Sequence, residues 1–267
     1  MRIFQLFTLC VFIISCTTCV TSPTGRRQFI IVSDDAVDKM GIEAFRELRR
    51  SEKLSSNARD IAYLRCIIDP MIRTLDTEES NPASWELALF QNNDANAFAL
   101  PGRKIGVYTG LLNVAKTQGE LAAVLGHEIG HALARHAAER LSQQAGTKAG
   151  LAALGSITGD SGNRDLLLGI LGVGAQVGIL LPFSRAQESE ADTIGIELMA
   201  KAGFDPEESI TLWRNIMAAS RGRAPPEWLS THPAGQTRIS QLEQDMPKAK
   251  ELYQRARSQG KAPRCAR

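Results

Sequence analysis

The sequence predicts an α+β fold, predominantly helical, with one small antiparallel β-sheet. Three observations lead there. Apolar residues recur at helical spacing over most of the chain, capping residues stand at the head of several of those runs, and strand-like segments cluster once, between Trp85 and Tyr108. The composition, 267 residues with 43% hydrophobic and 22% charged, suits a globular protein that buries a sizeable core. A balance of 31 Lys and Arg against 29 Asp and Glu leaves a net charge of +2, which excludes a nucleic-acid binder relying on a broad basic face. With 22 Gly and 11 Pro the chain is neither disordered nor collagen-like, and no repeat marks a solenoid.

The N-terminus reads as a targeting segment. Arg2 precedes an apolar run from Ile3 to Ile14, followed by Ser15 and Cys16, in the order of a secretory signal. The run is short for a membrane span, which takes about 20 residues. Ile13-Ile14-Ser15-Cys16 resembles a bacterial lipobox, which implies lipidation of Cys16 as the mature N-terminus. Thr17 in the next position implies sorting to the outer membrane. A plain signal peptide cut near Cys19 and an uncleaved anchor are the alternatives. The expected organisation is a signal peptide over 1–15, a lipidated N-terminus and linker over 16–33, and a single domain over 34–267. Cys19, Cys66 and Cys265 then remain. An exported chain could join Cys66 to Cys265, although nothing in the sequence brings the two together.

Along the domain, Asp34 or Asp35 caps a helix running to about Leu54, with Val37, Met40, Ala44, Phe45 and Leu48 on one face. A second helix over about 57–75 carries Ile61, Leu64, Ile68 and Ile72, with Pro70 as a kink. Trp85 to Phe90 alternates like a strand, and Asn96–Leu100 and Lys104–Tyr108 flank the turn Pro101-Gly102-Arg103. Thr117-Gln118-Gly119-Glu120 matches a capping box and opens a helix to about Ala145. Residues 146–163 read as a loop, and Leu166–Leu181 as a buried or partner-covered helix, with a membrane-touching segment as the alternative. Pro182 and Ser184 introduce a helix to Ala202, stopped by Gly203. Asp205-Pro206 starts another, ending near Gly222. A Pro-rich loop over 224–233 and two closing helices complete the chain.

The four histidines are His127, His131, His136 and His232. His127-Glu128-Ile129-Gly130-His131 is an H-E-x-x-H run inside the capped helix. The spacing puts both imidazoles on one face, about 40° apart, where they can bind one ion. Glu128 is placed to reach a water on that ion. His136, nine residues after His127 on the same helix, faces away, about 180° round, and reads as a structural hydrogen-bonding residue. A catalytic zinc takes a third protein ligand, and Glu188-Ser189-Glu190-Ala191-Asp192 is the best source. Glu188, Asp192 and Gly195 share a face, while Ala191 and Gly195 allow a close approach to the H-E-x-x-H helix. Spacing alone does not separate Glu188 from Glu190.

Gly126-His127-Glu128-Ile129-Gly130-His131, Ser184-Arg185 and Glu188-x-x-x-Asp192 together resemble the zinc peptidase family of the CAAX prenyl protease type 1 and HtpX. The soluble periplasmic members of the LoiP, YcaL and BepA type are nearest in style, without a tetratricopeptide array. Asn96-Ala97-Phe98-Ala99-Leu100-Pro101-Gly102, Ile105 to Leu111, and Ser230-Thr231-His232-Pro233 with Arg238-Ile239 extend the resemblance. Arg103 departs from it, standing where the family usually has a second Gly.

The resemblance implies a zincin-type (gluzincin) fold, with the sheet beside the H-E-x-x-H helix. It implies one Zn2+ per chain held by His127, His131 and Glu188, which selects Glu188 over Glu190. Asp192 would hydrogen-bond a ligand histidine, and Glu128 would act as general base. His232 would stabilise the oxyanion or, as in some members, bind zinc as a fourth ligand that holds the enzyme off. Arg238 would orient the loop that carries His232, or the substrate. Asn96, Ala97, Phe98 and Ala99 would bind an extended substrate by strand addition, which suits unfolded or misassembled envelope proteins. A chaperone-like lipoprotein with a latched site and a zinc hydrolase of a non-peptide envelope bond are the other classes this sequence allows.

Overall fold

The structure, a computed structural model, describes residues 19–76, 78–145, 183–219, 231–232 and 236–267. The leader with Cys16, the stretch 146–181 and most of the loop 224–233 lie outside the described residues. The described elements are β1 (Cys19–Thr21), β2 (Arg27–Phe29), α1 (Asp34–Ser51), α2 (Ala58–Ile72), β3 (Glu86–Phe90), β4 (Ala97–Leu100), β5 (Lys104–Tyr108), α3 (Leu111–Val114), α4 (Gln118–Leu133), α5 (His136–Ala145), α6 (Arg185–Ala202), α7 (Glu207–Ala219) and α8 (Gln236–Ser258). None of these helices is long and apolar enough to cross a membrane.

Three strands form a sheet in the order β3-β5-β4, with β4 antiparallel and β3 parallel to β5. The antiparallel pair is the one expected around the Pro101-Gly102-Arg103 turn. Gly102 and Arg103 both take positive φ, 76° and 60°, so the usual second Gly has a physical reason, and Arg103 occupies a left-handed position that favours glycine. Period-two alternation divides the sheet between two cores. Leu89, Ala97, Ala99, Ile105 and Val107 face α2 and α4, where they meet Leu64, Ile68, Leu121 and Leu125. Ala88, Phe90, Phe98, Leu100 and Tyr108 face α1, against Val37, Phe45 and Leu48. The sheet is thus covered on both faces by helices.

Local chemistry starts the helices where the sequence places them. Ser33, one residue before the expected Asp34 or Asp35, caps α1, the two aspartates falling in its first turn, and Asn57 caps α2, each cap accepting backbone N–H bonds. Thr117 caps α4 through Glu120 N at 3.0 Å, while the Glu120 carboxylate returns to the Lys116 N–H rather than to Thr117. Ser184 and Gln187 form a reciprocal capping box at α6, and Gly203 ends that helix at φ 92°.

Three expectations need correction. The helix expected to reach Ala145 stops at Leu133; Arg135 adopts φ 55° and a new helix begins at His136. Residues 20–33 are more than a linker: β1 and β2 pair antiparallel, and Gln28 Nε2 donates to Ala134 O at 2.6 Å, docking the hairpin on the helical body. One helix closes the described chain instead of two, because Ile239, Leu242, Met246 and Ala249 form one buried stripe across Pro247. Cys66 and Cys265 do meet: a disulfide joins α2 to the C-terminal tail, with Cα atoms 5.7 Å apart.

Candidate metal centre

α4 and α6 lie against each other through small residues. A Cβ added at Gly130 would sit 2.7 Å from Ala191 O, and one at Gly195 would sit 2.7 Å from His127 N. This close approach, expected from Ala191 and Gly195, brings the first turn of α6 up to the H-E-x-x-H face. His127 and His131 are buried, and their Nε2 atoms are 3.0 Å apart. Glu188 Oε1 lies 3.4 Å from His131 Nε2, and Oε2 lies 3.6 Å from His127 Nε2. His232 joins from outside the helix pair, with Nδ1 3.2 Å from His127 Nε2 and 3.0 Å from Glu188 Oε1. One donor atom from each of His127, His131, Glu188 and His232 lies within 4.8 Å of the others. Glu128 is not one of those four; its Oε1 is 3.5 Å from His232 Nε2.

The hydrogen-bond partners assign the protons on two of the rings. Asp192 Oδ1 is 2.9 Å from His127 Nδ1. A carboxylate only accepts, so Nδ1 carries the proton and Nε2 presents its lone pair. Arg238 also lies 3.0 Å from His127 Nδ1, but its Nη2 is nearer Asp192, at 2.6 Å. On the other ring, His136 Nε2 is 3.0 Å from Glu190 Oε2 and donates to it. His136 Nδ1 then accepts from His131 Nδ1 at 2.8 Å, leaving a lone pair on His131 Nε2. Two imidazole lone pairs therefore face each other at 3.0 Å with a carboxylate beside them. A proton on His232 Nδ1 offsets part of the repulsion in this set, a cation bound among the three groups offsets all of it, and two imidazoles with a carboxylate are ordinary ligands of a catalytic metal. The donor set fits a metal ion.

The surroundings keep these groups ready to bind one. Burial, then the neighbouring His127, hold His131 well below its ordinary pKa, so the ring is neutral. Burial alone would raise the Glu188 carboxyl, but His232 and Arg238 outweigh it and hold the carboxylate ionised. Asp192 is kept ionised against its burial chiefly by Arg238. Arg238 forks onto Asp192, reaches Glu188 Oε2 at 2.6 Å through Nη1, and lies over the Trp213 ring at 4.0 Å. This arginine orients two carboxylates. Burial lowers the Arg140 guanidinium to about 10, against the pull of Glu188, and Arg140 covers the Phe183 ring at 4.2 Å. Phe183 in turn lies against His131 and His232, with centroids 4.0 and 5.1 Å away.

His127, Glu128, His131, Glu188, Asp192 and His232 thus gather at one place. The expected substrate strand is only partly exposed to it. A cavity of about 570 Å³ runs along Ala99–Arg103, the end of α4 from His131 to Leu133, and Phe183. Ala99 lines it, whereas Ala97 and Phe98 point into the two cores and the Asn96 side chain is buried. β4 has its outer edge unpaired among the described strands.

Sequence reasoning missed His136 as a partner of His131, along with Glu190, Phe183, Arg140 and Arg26. The turn at Arg135 swings His136 back towards His131, so the helical-wheel argument that sent it away fails. Its one legible signal was the five-residue spacing after His131. Arg26, far away in sequence, offered none.

Residues 58–246 match the family model Peptidase family M48, and the chain belongs to that family. The mitochondrial metalloendopeptidase OMA1 of Schizosaccharomyces pombe is 34% identical over 231 residues, covering 85% of this chain and 66% of that protein. Its counterpart in Arabidopsis thaliana is 40% identical over 161 residues, 60% of this chain and 31% of that protein. The beta-barrel assembly-enhancing protease of Escherichia coli K12 is 29% identical over 209 residues, 76% of this chain and 42% of that protein. The matched stretches cover 66% of the S. pombe relative and 53% of the Saccharomyces cerevisiae one.

Proposed function

We propose that the chain is a zinc-dependent endopeptidase of the bacterial cell envelope, carried on a lipid at Cys16, that cleaves misfolded or unassembled envelope proteins. The facing lone pairs of His127 and His131, 3.0 Å apart beside Glu188, carry this reading. Zinc bound there supplies a Lewis acid that acidifies water and polarises the scissile carbonyl. Glu128 takes the proton from the attacking water and returns it to the leaving amine. An extended substrate segment lies in the cavity along β4 and pairs with its edge, a mode that reads backbone more than side chains. The likeness to the beta-barrel assembly-enhancing protease and the lipobox-like leader support the envelope placement.

His232 has two roles open to it: donor to the developing oxyanion, or fourth zinc ligand that closes the site. Its Nδ1, 3.0 Å from Glu188 Oε1 and 3.2 Å from His127 Nε2, favours the second in this conformation. That observation supports a latched enzyme, released when His232 withdraws.

The test uses the full chain in mild detergent, loaded with zinc and given unfolded casein, comparing wild type with Glu128→Gln. Wild type is expected to cleave, and Glu128→Gln to keep its zinc while losing about 10²–10⁴-fold in rate. Cleavage by both at similar rates removes Glu128 from the mechanism. Silence from both, with zinc bound, supports the latch, and His232→Ala is then expected to cleave.

A further inference from the structure

The hairpin of β1 and β2 presents Ser22, Thr24 and Arg26 to one buried carboxylate, Glu190. Ser22 and Thr24 hydroxyls both bond Glu190 Oε1, and Arg26 Nε donates to Oε2 at 2.6 Å. The remaining nitrogens of Arg26 fork onto Glu139 at 2.7 Å each, and Gln187 also donates to Glu139 at 2.9 Å. The same Oε2 that Arg26 holds receives His136 Nε2, and His136 Nδ1 receives His131 Nδ1. An unbroken line of bonds therefore runs from Arg26 through Glu190 and His136 to His131. Glu188 and Glu190, two positions apart on α6, have separate tasks: the first faces the metal centre, and the second buttresses one of its histidines.

We infer that Arg26 is a positioning residue for the metal ligand His131, acting through Glu190 and His136. The inference rests on reading His127, His131 and Glu188 as the zinc ligands. Arg26 and the two hydroxyls fix the Glu190 rotamer, which fixes the ring of His136. That ring in turn holds the His131 proton on Nδ1 and aims Nε2 at His127. Partners beyond the ligands that orient a ligand histidine change metal affinity about 10–100-fold when removed. Docking of the hairpin alone would not have that effect. Gln28 separates the two cases: its bond to Ala134 O docks the hairpin, and its 3.4 Å contact with Glu139 Oε2 leaves Glu190 and His136 untouched.

The experiment measures the zinc dissociation constant of the full chain by competition with a chromophoric chelator. Arg26→Ala is expected to weaken zinc at least about tenfold, with Arg26→Lys recovering part of the loss and Gln28→Ala staying within about twofold of wild type. Histidine ring NMR of the zinc-free wild type is expected to show His131 protonated on Nδ1 and His136 on Nε2, a readout that does not depend on any variant folding. A His131 proton on Nε2, Arg26→Ala binding as tightly as wild type, or Gln28→Ala weakening zinc as much as Arg26→Ala overturns the inference. In the last two cases, loss of zinc in His131→Ala shows that the ligand assignment stands and the positioning alone has failed. If His131→Ala binds zinc as tightly as wild type, the ligand assignment falls and the inference with it.

Discussion

Asp192 and Arg238 do for His127 what Glu190 and His136 do for His131. Asp192 accepts the Nδ1 proton at 2.9 Å, and Arg238 keeps that carboxylate ionised and in place. Asp192→Ala is therefore expected to weaken zinc binding about 10–100-fold, measured by chelator competition; a change under about twofold would remove Asp192 from this role. The outer carboxylates also set an acid limit. Burial alone would raise Glu139 and Glu190. Arg26 and Gln187 at the first, and His136, Ser22, Thr24 and Arg26 at the second, hold both below their ordinary value of 4.5. Each binds its proton more weakly folded than unfolded, so the stabilisation is present above about pH 4.5 and is lost as pH falls through the lower folded values. The urea midpoint is expected to drop as pH falls below about 4.5, and to drop less in Glu139→Gln. An equal drop in that variant would mean that other groups govern acid stability.

The contact between α4 and α6 sets the metal centre, because each helix supplies part of it. Gly126 and Gly130 on α4 meet Gly195 and Ala191 on α6, so the backbones approach closely enough for Glu188 to reach both histidines. A methyl at Gly195 would stand 2.7 Å from His127 N and 2.8 Å from Gly126 C, backbone atoms with nowhere to go. Gly195→Ala is expected to destabilise the metal-free protein by about 1–3 kcal/mol and to weaken zinc as well, because Glu188 moves away with the helix. Urea unfolding and chelator competition on the same sample check both effects. Unchanged zinc affinity with reduced stability would show that the helices separate without displacing Glu188.

Over the whole molecule, two cores on either face of one sheet hold the centre, and a covalent link closes the chain around them. Cys66 on α2 is bonded to Cys265, and the same tail is pinned by Cys265 N to Gln118 at 2.7 Å and by Arg267 to Asp60 at 2.7 Å. The loop closed by this disulfide spans 199 positions, and cross-linking so long a loop stabilises a fold by about 2–5 kcal/mol through the unfolded state. Reduction, or Cys66→Ala with Cys265→Ala, is expected to lower unfolding free energy by that amount. Equal stability with and without reductant would show that the noncovalent bonds hold the tail unaided.

By itself the sequence determined the local features: the caps at Thr117 and Ser184, the alternation of β3 to β5, and the shared face of His127 and His131. Each depends on residues within about a turn of one another, where propensity and spacing act directly. It also held the small residues on α6 that permit close packing. The tertiary structure decided what depends on distance along the chain. Spacing left Glu188 and Glu190 equivalent, and resemblance favoured Glu188; packing of α6 on α4 turns that residue to the histidines and Glu190 to His136. The left-handed turn at Arg135 reverses the direction of His136. Arg26 reaches Glu190 across 164 positions and Cys66 reaches Cys265 across 199. No local signal encodes such pairs, because the chain between them must fold first for their side chains to meet.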